Sequence, residues 1–216
     1  MIENVRKYPV ATILILCVYY LVGLMGLSIN KTQPLFQALV PFTLLFSLYF
    51  LWLFHEKADL RIYLTGLVIY LIGYTIESIG VNSGAIFGDY VYGKTLGIKL
   101  WNTPLMIGIN WLLLIYSCWA LTGIFTGNRL LRYLFGSALM VLYDIALEPV
   151  AIRLDMWNWY GEAVPMQNYT GWFLTAMILL IILDRSVGNI KNKIAPALFI
   201  IQFMFFIILN IIFHFS

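Results

Sequence analysis

The chain has 216 residues, of which 62% are hydrophobic and 11% charged, with a formal net charge of +3. Its mean hydropathy of +0.89 exceeds what a water-soluble domain of this size can bury, so the solvent for most of it is lipid. The basic residues are scattered, and no run of them suits a nucleic acid.

Arg6 and Lys7 precede the first apolar stretch as in a signal peptide, but that stretch is long enough to cross a bilayer and has no small-x-small cleavage site. It reads as a retained membrane helix. Seven segments approach the ~20 apolar residues a crossing needs: about 8–29, 36–54, 60–80, 104–124, 130–148, 169–184 and 195–213, the sixth being short. The expected fold is all-α, a polytopic membrane helix bundle forming one integral membrane domain over 1–216. Cys17 and Cys118 fall inside apolar runs and read as small buried hydrophobes.

Basic residues set the expected orientation. Arg6, Lys7, Lys57, Arg61, Arg129, Arg132, Arg185, Lys191 and Lys193 fall on one side, and Lys31, Lys94, Lys99 and Arg153 on the other. Nine against four puts the N-terminus in the cytoplasm and makes the inner membrane the expected location. The two long loops, 81–103 and 149–168, then share the non-cytoplasmic side. Loops of such length are more often functional or packed than idle.

Span three carries Gly66, Gly73 and Gly80 every seven residues, a stripe that admits a close neighbour. Glu77 lies on that stripe, preceded at helical spacing by Tyr70 and Tyr74. Span four carries Asn110 and Ser117 seven apart. In span five Ser137, Met140, Asp144 and Glu148 make one stripe, and Pro149 is expected to end the helix. A carboxylate in a membrane helix costs about 2.5–3.5 kcal/mol even on the lenient insertion scale. Three at one depth, with no basic residue inside any span, point to function. The competing reading is structural: acids hydrogen-bonded as interhelical glue, with Arg153 as a partner for Glu148.

An internal echo accompanies the acids. Glu77 is followed by "GDYVYG" and then by "PLMIGINW", from Pro104 to Trp111. Glu148 is followed by "WNWYG" and then by "PMQNYTGW", from Pro165 to Trp172. If the echo is structural, two similar helix pairs pack around a cleft.

Several chemistries lack their parts. His55 and His214, both at span ends, cannot make a multi-histidine iron site. No lysine lies inside a span for a Schiff base, and there is no phosphate-binding glycine loop. Asp144-x3-Glu148 resembles half of a magnesium–diphosphate site, but the second acidic cluster and the basic partners are missing. No metal or cofactor is therefore expected, and what remains for carboxyl groups is proton transfer. A carboxyl out of water holds its proton more readily and can protonate an alkene to a tertiary cation, which aromatic faces stabilise. A second, ionised carboxylate can orient water.

The run "DIALEPVAIRLDMWNWYGEAVPMQNYTGW" from Asp144 to Trp172, with "ESIGVNSGAIFGDYVYGKTLGIKLWNTPLMIGINW" from Glu77 to Trp111, resembles the carotenoid hydratase family of γ-carotene 1′-hydroxylases and bisanhydrobacterioruberin hydratases. The resemblance covers roughly 65–185. It departs from the family pattern at Glu148, where Asp is expected, at Tyr169, where Phe is usual, and in a shorter "YGEAVP" loop. It implies water addition across the terminal C1–C2 double bond of an acyclic carotenoid, a cofactor-independent hydro-lyase reaction. The implied partners are a lipophilic carotenoid, water and other carotenoid enzymes. Asp144 or Glu148 is the candidate proton donor and Glu77 its partner, with Asp89 a fourth candidate beside its reading as a turn residue. Tyr74, Tyr90, Tyr92, Trp111, Trp157, Trp159 and Trp172 are candidate substrate contacts, and the loop aromatics read equally well as an interfacial belt. Asn110 and Asn168 are candidate water holders, and Asn168 reads even better as a helix cap. Asp155 and Glu162 read as solvated loop charges. Two other classes stay open, a carotenoid cyclase and a proton-coupled transporter.

Overall fold

The computed structural model describes residues 6–56, 59–161 and 163–215. Lys57 and Glu162, assigned above to a basic loop and a solvated loop, lie outside the described residues. Among these residues seven helices are long and apolar enough to span a bilayer. They are α1 (Pro9–Ser28), α2 (Gln33–Leu53), α3 (Leu60–Ser83), α4 (Met106–Phe125), α5 (Arg129–Arg153), α6 (Met166–Val187) and α7 (Ala195–Phe215). The protein is an all-α polytopic membrane bundle.

Local chemistry sets the ends. Asp59 accepts from the Ile62 amide (3.1 Å) and Asn128 from the Leu131 amide (3.2 Å), capping α3 and α5. Gly84, in the left-handed region at φ 65°, closes α3 through a bond from its amide to the Gly80 carbonyl. The sixth span is a full 22 residues, longer than the sequence suggested.

α4 is the hub: 78% of its span is buried, against 11% for α2. It packs on α2, α3, α5, α6 and α7, while α3 also packs on α6 and α5 on both α6 and α7. Close approach at the α3–α4 contact rests on Gly73, where a Cβ would lie 2.7 Å from Trp111 Cβ. The seven-residue glycine stripe is therefore a helix-packing face, as the sequence predicted.

Two expectations are corrected. The long loops carry two short antiparallel ribbons: β1 (Tyr90–Tyr92) pairs with β4 (Trp157–Trp159), and β2 (Lys99–Leu100) with β3 (Thr103–Pro104). And Pro149 does not end α5, which continues to Arg153. Proline removes one backbone bond there, while Val150 and Ala151 are fully buried and hold the last turn in place. The amides of Leu154 and Met156 close it on the carbonyls of Val150 and Ala151, at 2.9 Å each. That extra turn folds β4 back over Glu148.

Candidate functional site

The three intramembrane acids converge. Glu77, Asp144 and Glu148 line one chamber of about 20 Å³. Of the expected residues, Tyr90, Tyr92, Asn110, Trp157, Trp159, Asn168 and Trp172 share its wall, joined by Phe87 and Ile107. Trp111 reaches the chamber by bonding to Glu77.

Glu77 accepts at both oxygens. Its Oε2 takes the hydroxyls of Tyr90 (2.7 Å) and Tyr92 (2.8 Å), and its Oε1 takes the Trp111 indole N–H (3.0 Å). Burial first, and then the neighbouring Glu77 carboxylate, pushes both phenols well above their ordinary pKa, so they stay protonated donors. Glu148 Oε2 accepts the indole N–H groups of Trp157 (3.0 Å) and Trp159 (2.9 Å). Asp144 is wholly buried: Oδ2 accepts from Asn168 Nδ2 at 2.6 Å, and Oδ1 has no partner among the described residues. A buried polar atom left without a partner costs about 1–3 kcal/mol, and among the described residues Asp144 Oδ1 shares that condition with Ser117 Oγ, Ser137 Oγ and Arg132 Nε.

The two halves of the sequence echo meet in the structure. In the β1–β4 ribbon, Val91 faces Asn158 at the centre, which puts a local twofold axis there. That axis takes Tyr90 and Tyr92 onto Trp157 and Trp159, the pairs that grip Glu77 and Glu148. The two helix-opening tryptophans, Trp111 and Trp172, stack on each other with centroids 4.5 Å apart and planes 28° off parallel. The chamber is thus two similar clamps closed face to face.

Some expected residues stand elsewhere. Asp89 is exposed, and its carbonyl accepts from the Tyr160 amide (3.1 Å), which extends the β1–β4 pairing. The Tyr74 hydroxyl bonds the Leu100 carbonyl (2.5 Å), tying down the β2–β3 hairpin outside the chamber wall. Asn168 is no cap: Pro165 holds that position, and Asn168 sits inside α6 with its side chain turned to Asp144. Arg153 donates to the Phe213 carbonyl (3.1 Å) and lies over the Phe213 ring, at the far end of α7. Asp155, exposed as expected, accepts from the Lys94 amide (3.2 Å). Cys118 is fully buried and Cys17 partly so.

The chamber adjoins a larger space. An apolar cavity of about 300 Å³ runs between α1, α2 and α7 and shares Ile107, Asn110 and Trp157 with the chamber wall. The sequence reading missed it, although polar residues in otherwise apolar spans were a usable signal. Tyr20 hydrogen-bonds Ser47 (2.8 Å) and Gln202 (2.7 Å), and Tyr19 hydrogen-bonds Thr43 (3.0 Å), along that cavity. Among the described residues no group of three or more His, Cys, Asp or Glu is placed to hold a metal ion.

A carboxyl chamber thus lies within a membrane bundle and shares part of its wall with an apolar cavity. The chain belongs to the carotenoid biosynthesis protein family, matching it over residues 36–216. It is 31% identical over 136 residues to the bisanhydrobacterioruberin hydratase of Haloarcula japonica, a match covering 58% of this chain and 46% of that protein. The chain thus aligns with less than half the length of that relative. No solved structure matches it.

Proposed function

We propose that the chain is a carotenoid hydratase that adds water across the terminal C1–C2 double bond of an acyclic carotenoid end group, with Asp144 as the proton donor. The observation that carries this reading is Asp144 Oδ1, a buried carboxyl oxygen without a partner among the described residues, in the chamber where Glu77 and Glu148 already accept aromatic donors. Glu77 already accepts three hydrogen bonds, which favour its ionised form.

The steps balance on these groups. Asp144 gives its proton to C2, and the electron pair of the double bond becomes the new C–H bond. The cation left on C1 is tertiary, and the indole faces of Trp157 and Trp159 stabilise it. Water attacks C1 through oxygen, and its surplus proton returns to the Asp144 carboxylate, which restores the starting state. Glu148, one helical turn on, and the Asn110 side chain are positioned to hold that water. A cavity of about 20 Å³ matches the ~10–15 Å³ that one water needs. The chamber therefore suits the water and the adjoining cavity the alkene.

The likeness to the Haloarcula japonica protein supports this reading, since its name states a hydratase. The test is expression in cells that make lycopene or γ-carotene, followed by mass spectrometry of the pigments. A mass gain of one water as a tertiary alcohol, lost in Asp144→Asn, is the expected result. A ring-bearing isomer of unchanged mass would replace the hydratase with a cyclase.

We place the chamber on the non-cytoplasmic side, a reading that the distribution of basic residues supports. A cysteine introduced by Ala85→Cys, in the exposed turn after α3, should react with an impermeant thiol reagent in intact cells. Labelling only after lysis would invert the orientation.

A further inference from the structure

We infer that the apolar cavity between α1, α2 and α7 holds the near part of the substrate chain, entered sideways from the bilayer, and that the protein reads the end group without measuring chain length. This rests on the hydratase reading above.

The cavity wall grades from lipid to interior. Val22 and Leu39 are 50% and 40% exposed on the outer faces of α1 and α2, while Leu147 and Trp157 are 4% and 7% exposed at the inner end. A molecule dissolved in the bilayer can slide in between those helices without crossing water. Several of the polar side chains on the way bond to one another, Tyr19 to Thr43 and Tyr20 to both Ser47 and Gln202. The wall thus offers hydrocarbon contact and few unpaired groups, as a polyene requires.

The inner end fixes the direction. Ile107, Asn110 and Trp157 belong to both spaces, so whatever fills the cavity presents its tip to the chamber. The length fixes selectivity. The lining on α1 runs from Tyr19 to Leu27 and on α2 from Phe36 to Leu44, each about 12 Å at 1.5 Å rise per residue. A forty-carbon carotenoid is about as long as the ~30 Å hydrocarbon core, so more than half of it stays in the lipid. A protein that touches only the near part cannot discriminate on the far part.

Gly23 is the lever. A Cβ there would meet Phe205 Cε2 at 3.6 Å, ordinary contact, so alanine fits and a larger side chain projects into the cavity.

The experiment uses the full chain in lipid nanodiscs with pairs of competing alkenes. Lycopene, squalene and geranylgeraniol have forty, thirty and twenty carbons and the same isopropylidene end. The expected result is that wild type hydrates all three with kcat/KM within about tenfold, since length carries no contact energy. Gly23→Leu and Val40→Trp should each lower kcat/KM for all three by about tenfold or more. A preference for lycopene above tenfold would overturn the inference. So would unaltered rates in both folded bulky variants, which would mean the cavity holds a lipid chain. If wild type hydrates none of the three, and lycopene-producing cells give no hydrated pigment, it is the hydratase reading that fails.

Discussion

The two clamps around the chamber are built from the same parts and reach different ends. On the α3 side, two phenols and one indole saturate Glu77 at both oxygens. On the α5 side, two indoles converge on one oxygen of Glu148, and a second acid, Asp144, appears one turn earlier with an oxygen left over. Symmetry explains the common scaffold of acid, ribbon and stacked tryptophan. The departures from symmetry support the proposed division of roles. Glu77 takes three donors on its two oxygens, whereas Asp144 keeps one buried oxygen without a donor among the described residues.

Replacing Asp144 should have the largest effect. Asp144→Asn keeps an oxygen to accept from Asn168 but has no carboxyl proton to give. The fold should persist while hydration falls about a hundred- to ten-thousandfold, the range for a positioned general acid. Pigment analysis of cells matched for membrane expression measures it. If Asp144→Asn stayed active and Glu148→Gln did not, the roles of the two α5 acids would be exchanged.

The next contrast lies between the two clamps and concerns stability. Both indoles on Glu148 meet the same oxygen, so in Glu148→Gln the amide oxygen can take that place. Glu77 receives donors at both oxygens, so in Glu77→Gln the amide N–H₂ must face either the phenols or Trp111. That opposes donor to donor and costs about 1–3 kcal/mol. Thermal unfolding in detergent should therefore show a lower Tm for Glu77→Gln than for Glu148→Gln. Equal values would mean that the phenols turn their hydrogens away at little cost, and the clamps would be closer in kind than their geometry indicates.

The sequence made this arrangement legible in part, for identifiable reasons. Intramembrane acids are costly enough to stand out, and helical spacing put Asp144 and Glu148 on the buried stripe with Ser137 and Met140. The glycine stripe of α3 was readable because a seven-residue repeat returns to one face. The β1–β4 ribbon was missed, although Tyr-x-Tyr and Trp-x-Trp already alternate with the two-residue period of a strand. Pairing them requires joining segments 67 positions apart (90 to 157), which no local pattern shows. Pro149 and Asn168 were misread by rules for isolated helices. Packing of Val150 and Ala151 carries α5 past its proline, and an acid on a neighbouring helix takes the Asn168 amide. The cavity was missed because its walls come from helices at both ends of the chain, and only the polar residues in those apolar spans hinted at it.

The finest test is at the stacked pair of Trp111 and Trp172. Both rings are buried, at 0% and 6% exposure, but only Trp111 donates to a carboxylate among the described residues. Phenylalanine at either position keeps an aromatic face and removes the indole N–H. Trp172→Phe should cost only part of a stacking contact, itself worth about 0.5–1.5 kcal/mol. Trp111→Phe loses in addition a hydrogen bond to a charged group, about 1.5–3 kcal/mol. The two Tm values should differ in that order, with Trp111→Phe lower and its hydration reduced because Glu77 loses one of its three anchors. If the two variants unfold at the same temperature, the stack holds the centre and the Glu77 bond adds nothing, so the asymmetry would be confined to Asp144.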